Sequence, residues 1–245
     1  MPGRVFITGV SSGIGAGLAK YYLQEGWDVL GCSRRKPTQL LEQKNFRFVA
    51  CDLSRFEQIP AAMEKLFDGV SDCDLAILNA GVLSKFGDLQ SVSIEHCQQV
   101  MAVNLWSNKA ILDWLLGSSI TLRQVVAISS GAAVNGNRGW NAYSISKAAL
   151  NMLTLLYAGE APQTHFVALA PGLVDTAMQE ELCNLPEDPR FPTLDSLRSR
   201  RNSSDMPDAD QLAPRLAIAM AEFPERVKSG QFIDIRKLPW TGNHH

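Results

Sequence analysis

Residues 4–15 have the sequence RVFITGVSSGIG. The first five form a mostly apolar run that predicts a buried strand, and the glycines after them predict a tight turn. Apolar residues then recur with helical spacing at Leu18, Tyr21 and Tyr22. A strand, a glycine-rich turn and a helix in this order present the N–H groups of a helix N-terminus to a pyrophosphate. The glycine spacing, G-x-x-x-G-x-G, differs from the G-x-G-x-x-G dinucleotide fingerprint, so the turn alone does not identify the ligand.

Each glycine of this turn has a separate physical task. Gly9 permits the tight turn, Gly13 lets the backbone approach a phosphate, and Gly15 allows the helix to pack closely. We therefore expect the whole turn to contact a nucleotide. The residues predicted to do so are Gly9, Ser11, Ser12, Gly13, Ile14 and Gly15.

Further short apolar runs alternate with helical patterns along the chain. The runs are Val29–Cys32, Phe46–Ala50, Leu75–Leu78, Val125–Ser129, Phe166–Leu169 and Phe232–Ile235. Alternating strands and helices predict an α/β fold with a parallel sheet, and continuous apolar runs indicate strands buried on both faces. We expect a Rossmann-type, doubly wound, mostly parallel sheet of about seven strands with helices on both faces. A chain of 245 residues without repeats or linkers suits one such domain over residues 1–245.

A second motif, WNAYSISK, contains Tyr143 and Lys147. Four residues are about one helical turn, so both side chains project from one face. A nearby ammonium lowers the pKa of a phenol, and a tyrosine tuned in this way exchanges a proton with a substrate oxygen. Ser130 is predicted at the end of a strand, where its hydroxyl reaches the same oxygen. The pair taken alone is usually a solvated helix face.

Together, these motifs and several shorter ones resemble the short-chain dehydrogenase/reductase family over nearly the whole chain. The resemblance rests on Thr8–Gly15, Asp52, Asn79–Gly81, Asn104, Ser129, Ser130, Tyr143, Lys147, Pro171 and Gly172. It implies hydride transfer between a nicotinamide and a carbonyl carbon. In that chemistry Tyr143 is the general acid or base, Lys147 lowers its pKa and binds ribose hydroxyls, and Ser130 polarises the carbonyl. Asn104 would order a water that links Lys147 to solvent, although an ordinary surface asparagine is the alternative.

The resemblance also implies the remaining nucleotide contacts. Asp52 and Leu53 would contact the adenine, unless Asp52 caps the segment after it. The residues around the nicotinamide end are Asn79, Ala80 and Gly81, near the ribose, and Pro171, Gly172, Val174 and Thr176, near the carboxamide. Asn79–Gly81 would otherwise be a simple turn.

The second strand is followed by Ser33, Arg34 and Arg35. A carboxylate at this point binds the 2′-hydroxyl of NAD, whereas an arginine accommodates the 2′-phosphate of NADP. No carboxylate is present, so we expect NADP(H), with Arg34 on the phosphate and Arg35 as a weaker helper. The alternative is a solvated basic loop.

Residues 177–210 form a polar, proline-containing stretch, most irregular from Met178 to Asp210, which the resemblance places as the substrate-binding lid. The ending Ser229–Ile235 is more similar to the NADPH-dependent carbonyl, benzil and sepiapterin reductases than to other branches. We therefore expect reduction of an aldehyde, ketone or diketone to an alcohol. The alternatives are an NAD-dependent alcohol dehydrogenase and a nucleotide-binding regulatory protein that does not need turnover.

Net charge and cysteine content indicate which binding partners and which cellular compartment to expect. A net charge of −2 favours neither nucleic acid nor an anionic membrane. The five cysteines show no C-x-x-C spacing and no histidine partners, which predicts free thiols, no metal site and a reducing, cytoplasmic location. We find neither a signal pattern nor an apolar stretch long enough to span a membrane. His244 and His245 are given no role.

The resemblance further implies a homodimer or homotetramer. Relatives associate through two helices, which correspond here to Glu95–Leu116 and Ala142–Tyr157. Both carry apolar residues beyond one stripe, and extra apolar surface favours a partner contact. Deeper burial in the core is the alternative.

Overall fold

Seven strands form one parallel sheet in a computed structural model of the chain, which describes residues 3–238. The strands are β1 Arg4–Thr8, β2 Asp28–Ser33, β3 Phe46–Ala50, β4 Asp72–Leu78, β5 Thr121–Ile128, β6 His165–Ala170 and β7 Gln231–Asp234. Their order in the sheet is β3-β2-β1-β4-β5-β6-β7, and all neighbours run parallel. The predicted fold class is confirmed. His244 and His245 lie outside the described residues.

Helices cover both faces of the sheet. They are α1 Gly13–Gln24, α2 Ile59–Leu66, α3 Ile94–Met101, α4 Ser107–Gly117, α5 Ala132–Asn135, α6 Asn141–Glu160, α7 Ala177–Cys183, α8 Pro192–Arg200 and α9 Ala209–Arg226. Successive residues of β1 point to opposite faces: Val5 and Ile7 join the core under α1 and α9, and Phe6 joins the core under α2, α4 and α6. This two-sided burial is why the strands read as continuous apolar runs, each large side chain contributing roughly 1.5–3 kcal/mol.

The strand order reverses between β1 and β4, and this point positions the site. The backbone N–H groups of Asn79 and Ala80 both donate to Thr8 Oγ1 at 2.9 Å, and Asn79 Nδ2 donates to the Thr8 carbonyl at 2.9 Å. The carboxyl ends of β1 and β4 are thereby tied together. In open α/β sheets, ligands bind outside the carboxyl ends of the strands at such a switch point.

Three local features differ from the sequence-based expectations. Ser129 follows β5 instead of ending it, and Ile235 begins a short 3₁₀ helix, Ile235–Lys237. The predicted helix Glu95–Leu116 is divided into α3 and α4 by a π-helical turn, Ala102–Trp106. One extra residue in such a turn is absorbed without breaking the apolar stripe, so periodicity does not reveal it.

The two helices expected at a subunit interface differ in what they expose. On the first, Leu105, Ile111, Leu112 and Leu115 are buried in the core and Trp106 is exposed. On α6, by contrast, large apolar side chains face outward. They are Ile145, Met152, Leu155 and Leu156. Between residues 3 and 238, none of the helices combines the length and apolar character needed to cross a bilayer.

Candidate active site

A cavity of about 610 Å³ lies at the carboxyl edge of the sheet, beneath the segment that contains α7 and α8. All but two of the residues predicted from the sequence to bind the nucleotide or perform the chemistry line it. The exceptions are Gly15 and Asn104, which lie behind its wall. Every predicted site residue therefore either faces this one cavity or supports a residue that does.

The glycine-rich turn forms a cradle that side chains would fill. Gly9 and Gly13 adopt positive φ angles of +78° and +57°, which glycine tolerates best. A β-carbon on Gly15 would lie 2.4 Å from the Gly9 carbonyl oxygen, so only glycine lets α1 start this close to the turn. Ser12, the N-cap residue of α1, makes no side-chain capping bond, which leaves the N–H groups of the first turn for another acceptor. The cradle fits a pyrophosphate.

The residues after β2 form the basic end of the cavity. Ser33 is buried and its hydroxyl donates to the Arg35 carbonyl at 2.7 Å, while Arg35 Nη2 donates to Ser12 Oγ at 3.5 Å. Arg34 is also exposed at this end, close enough to lower the pKa of Asp52, although hydrogen bonds from Ser54 are the larger cause. Arg35 therefore contacts the glycine-rich turn directly. The sequence had indicated Arg34 as the main phosphate contact and Arg35 as the weaker one.

The Asp52 side chain is hydrogen-bonded within a local turn of the chain. Its Oδ1 accepts hydrogen bonds from the Ser54 N–H at 3.1 Å and the Ser54 hydroxyl at 2.8 Å. These bonds form a local turn, whereas the N-cap of the next helical segment, the 3₁₀ helix Phe56–Gln58, is Arg55 and not Asp52. Both Asp52 and Leu53 nevertheless line the cavity.

Ser130, Tyr143 and Lys147 meet at the other end of the cavity. Tyr143 and Lys147 lie in the first two turns of α6 and are only 8% and 4% exposed, with Lys147 Nζ 5.8 Å from the centre of the tyrosine ring. Lys147 Nζ donates to the Ile128 carbonyl at 2.7 Å. The Ser130 hydroxyl is a hydrogen-bond partner of the Tyr143 phenol and also accepts from the Ala132 N–H at 3.1 Å.

Burial dominates the pKa values of this group. It raises the pKa of Tyr143, against which the Ser130 hydrogen bond acts, and it lowers the pKa of Lys147 to about 8. The expected lowering of the Tyr143 pKa by Lys147 is not found in the protein itself. The reason is that desolvation disfavours the charged form of both side chains.

Asn104 is fully buried in the π-helical turn, so it is not an ordinary surface asparagine. Its Oδ1 accepts from the Val82 N–H at 2.8 Å, and its Nδ2 donates to the Val82 carbonyl at 3.0 Å and to Ser146 Oγ at 2.9 Å. A β-carbon on the neighbouring Gly81 would lie 3.3 Å from Asn104 Oδ1 and 3.5 Å from Lys147 Nζ. Asn104 thus fixes the segment that passes beside Lys147.

The sequence did not identify one wall of the cavity. One face of α8 lines the cavity with Thr193, Ser196, Leu197 and Arg200, spaced i, i+3, i+4 and i+7. That spacing was readable from the sequence once a helix was assumed there. Trp140, Leu83 and Arg236 also line the cavity, but they arrive from distant segments and carry no local signal.

Aromatic rings connect this segment to Tyr143. Phe191 lies 5.1 Å from Phe86, Phe86 lies 5.6 Å from Trp140, and Trp140 lies 5.7 Å from Tyr143, measured between ring centres. These distances are typical of favourable aromatic pairs. The position of Tyr143 is thus coupled by packing to the segment above the cavity.

Ion pairs surround the ring of Phe191 on the outer side of this aromatic cluster. Asp88 accepts from Arg138 at 2.6 and 2.9 Å and pairs with Arg190 at 3.2 Å. The two guanidinium groups lie 5.7 and 5.0 Å from the centre of the Phe191 ring. We call this group, Asp88, Arg138, Arg190 and Phe191, the lid clasp.

Comparison with known proteins shows which family the chain is similar to. Residues 4–185 match the family model described as short chain dehydrogenase. A benzil reductase ((S)-benzoin forming) of Saccharomyces cerevisiae is 31% identical over 194 residues, covering 73% of this chain and 74% of the relative. A benzil reductase of Bacillus cereus is 28% identical and covers 90% and 96%. The crystal structure of a short chain dehydrogenase/reductase from S. cerevisiae shares the fold, with a TM-score of 0.84, 24% identity and 98% of both chains covered.

Proposed function

Because the chain belongs to the short chain dehydrogenase family, an oxidoreductase family, we propose that it reduces a carbonyl compound to an alcohol with NADP(H). The observation that carries the proposal is the convergence of Ser130, Tyr143 and Lys147 on the cavity that also contains the glycine cradle. A regulatory nucleotide-binding protein has no need for this group of side chains.

The nucleotide, when bound, supplies a hydride to the carbonyl carbon. Side chains of the protein bind and protonate the carbonyl oxygen. Tyr143 donates a proton to it, and the positive charge of Lys147 is proposed to offset the burial that raises the pKa of the phenol. Ser130 donates a hydrogen bond to the same oxygen and orients it.

Lys147 serves the tyrosine and the nucleotide together. Its Nζ makes one hydrogen bond, to the Ile128 carbonyl, and an ammonium has three N–H donors. The other two are proposed to bind ribose hydroxyls and a water ordered beside Asn104, through which the tyrosine regains its proton. A Lys147 pKa of about 8 suits such a transfer near neutral pH.

The nucleotide is proposed to extend from this group to the basic end of the cavity. The glycine-rich turn would hold the pyrophosphate and Arg34 and Arg35 the 2′-phosphate, supported by the absence of a carboxylate at Ser33. Asp52 and Leu53 would contact the adenine. The residues proposed for the nicotinamide end are Asn79, Ala80, Gly81, Pro171, Gly172, Val174 and Thr176.

The proposed substrate class is a ketone or diketone with an apolar substituent. Two relatives are named as benzil reductases, enzymes of a vicinal diketone. Leu83, Trp140, Leu182 and Leu197 supply apolar surface to the cavity, and residues 177–210 would act as the lid. This surface suits an aromatic or alkyl group beside the reacting carbonyl.

We also infer a homodimer or homotetramer of single-domain subunits in the cytoplasm. The outward apolar face of α6 supports the assembly. All five cysteines are free thiols, as a reducing compartment favours.

The test is turnover of NADPH and of NADH with a carbonyl panel of benzil, diacetyl and acetophenone, followed by nucleotide absorbance. We expect NADPH-dependent reduction of at least one vicinal diketone. Faster turnover with NADH would favour the NAD-dependent alcohol dehydrogenase. Tight nucleotide binding without reduction of any carbonyl would favour a regulatory protein.

A further inference from the structure

The segment after β7 brings an arginine to the wall of the cavity beside Ser130. A β-carbon on Gly172 would lie 3.5 Å from Arg236 Cγ and Cδ, and one on Gly131 would lie 3.5 Å from Arg236 Nη2. The side chain therefore runs across Gly172 and ends against Gly131, the residue that directly follows Ser130. The guanidinium therefore lies beside the residue that follows Ser130, whose hydroxyl is proposed to bind the carbonyl oxygen.

Asp234 holds this guanidinium in a fixed orientation. Arg236 Nε donates to Oδ1 at 2.9 Å and Nη2 donates to Oδ2 at 2.6 Å. The Asp234 side chain is 8% exposed, whereas that of Arg236 is 51% exposed. A guanidinium carries five N–H donors in a planar fork. Asp234 occupies one edge of it, and we find no partner for Nη1 within residues 3–238, so that edge is available to a ligand.

The charges around the cavity favour an anion at this end. Asp52 is the one carboxylate that lines the cavity among residues 3–238, and it lies at the opposite, basic end near Arg34. The cations not assigned to the nucleotide are Arg236, whose charge is paired with Asp234, and Arg200 on the cavity face of α8. Arg200 forms no ion pair with a carboxylate in the described part of the chain. A buried or partly buried site with an excess of one charge attracts the opposite charge.

We propose that Arg236 binds a carboxylate of the substrate, so that the preferred substrates are keto acids whose carboxylate lies next to the reacting carbonyl. This inference rests on the proposed function and specifies its substrate class. Hydride would pass to the ketone carbon and the Tyr143 proton to its oxygen, giving a 2-hydroxy acid. The carboxylate would stay unchanged and serve only to orient the substrate. Charge-assisted hydrogen bonds from a guanidinium are strong and directional, which fixes one face of the ketone towards the hydride.

The test compares phenylglyoxylate with its methyl ester, which have the same ketone and ring but differ in charge. We expect the unmodified protein to prefer the acid. Arg236→Met should lower kcat/KM for the acid by roughly ten- to a hundredfold and change that for the ester by less than about threefold. Arg236→Lys should restore part of the loss. Lys237→Met removes a neighbouring charge that does not line the cavity and should change neither value.

Three results would overturn the inference: a preference of the unmodified protein for the ester, an equal loss for both substrates in Arg236→Met, or the same loss in Lys237→Met. Reduction of the ester alone would leave the proposed function standing, whereas reduction of neither compound nor of any diketone would refute that function.

A binding measurement separates recognition from turnover. Phenylglyoxylate is titrated by calorimetry in the presence of oxidised nucleotide, where reduction cannot occur. The dissociation constant should rise roughly ten- to a hundredfold in Arg236→Met, and an unchanged constant would overturn the inference.

Discussion

Replacing Lys147 by methionine should stabilise the protein purified without nucleotide. The side chain is 4% exposed and makes one hydrogen bond, to the Ile128 carbonyl. Burial lowers its pKa from 10.5 to about 8. The folded protein therefore carries a desolvated ammonium at neutral pH, which is a cost that methionine of similar length does not have.

The magnitude follows from the pKa. One pKa unit corresponds to about 1.4 kcal/mol, so the charged lysine costs the folded state roughly 3 kcal/mol below pH 8. Loss of the hydrogen bond to Ile128 removes about 1 kcal/mol of this gain. We expect Lys147→Met to raise the free energy of unfolding by roughly 2 kcal/mol at about pH 7.

The sign of the pH dependence is fixed by linkage. The unfolded chain keeps the Lys147 proton up to pH 10.5, whereas the folded protein keeps it only up to about pH 8. The cost of the buried charge is therefore present in full below about pH 8, and the lost stability is recovered as the pH rises from 8 towards 10.5. At about pH 9.5, roughly 2 kcal/mol is recovered, and the advantage of the methionine variant should nearly disappear.

Urea unfolding of both proteins at the two pH values measures this difference. Lys65→Met, at an exposed position on α2, is the control and should show little change at either pH. A methionine variant that is less stable at neutral pH, or equally more stable at both pH values, would show that the buried charge of Lys147 does not destabilise the folded protein.

Three further predictions concern the nucleotide, the assembly and the lid. Alanine at both Arg34 and Arg35 should weaken NADPH binding by roughly ten- to a hundredfold and leave NADH nearly unchanged in fluorescence titrations; equal or tighter binding of NADH by the unmodified protein would refute the choice of NADP(H). Glutamate at Leu155 and Leu156, both about half exposed on α6, should convert the proposed oligomer into a monomer by light scattering. A concentration-independent monomer before mutation would contradict this. Asp88→Asn removes the carboxylate of the lid clasp and should raise KM for the carbonyl substrate severalfold without weakening nucleotide binding; an unchanged KM would show that the clasp does not hold the lid.

The strands and most of the site were predictable because both depend on local patterns. Continuous apolar runs mark strands that are buried on two faces, as in β1, and a parallel sheet then brings their carboxyl ends to one edge. The glycine-rich turn and the spacing of Tyr143 and Lys147 are short-range motifs that persist in any packing. For that reason the predicted residues gather around one cavity.

Other features depend on contacts between distant segments. Arg236 reaches Gly131 only because β7 returns to the same edge of the sheet, and Phe86, Trp140 and Phe191 meet across long separations in the chain. The raised pKa of Tyr143 depends on how deeply the surrounding segments bury it. The π-helical turn around Asn104 adds one residue without changing the apolar stripe, so its effect on Val82 was not readable from the sequence.

The role of Tyr143 as the proton donor is tested most directly by the turnover of Tyr143→Phe with a carbonyl that the unmodified protein reduces. Tyr157→Phe is the matched control, because Tyr157 lies on the same helix and its hydroxyl bonds to Asp113 away from the cavity. Loss of the proton donor should lower kcat of Tyr143→Phe by about 10²–10⁴-fold while NADPH still binds, and Tyr157→Phe should keep its activity. Near-full turnover by Tyr143→Phe would show that Tyr143 is not the proton donor.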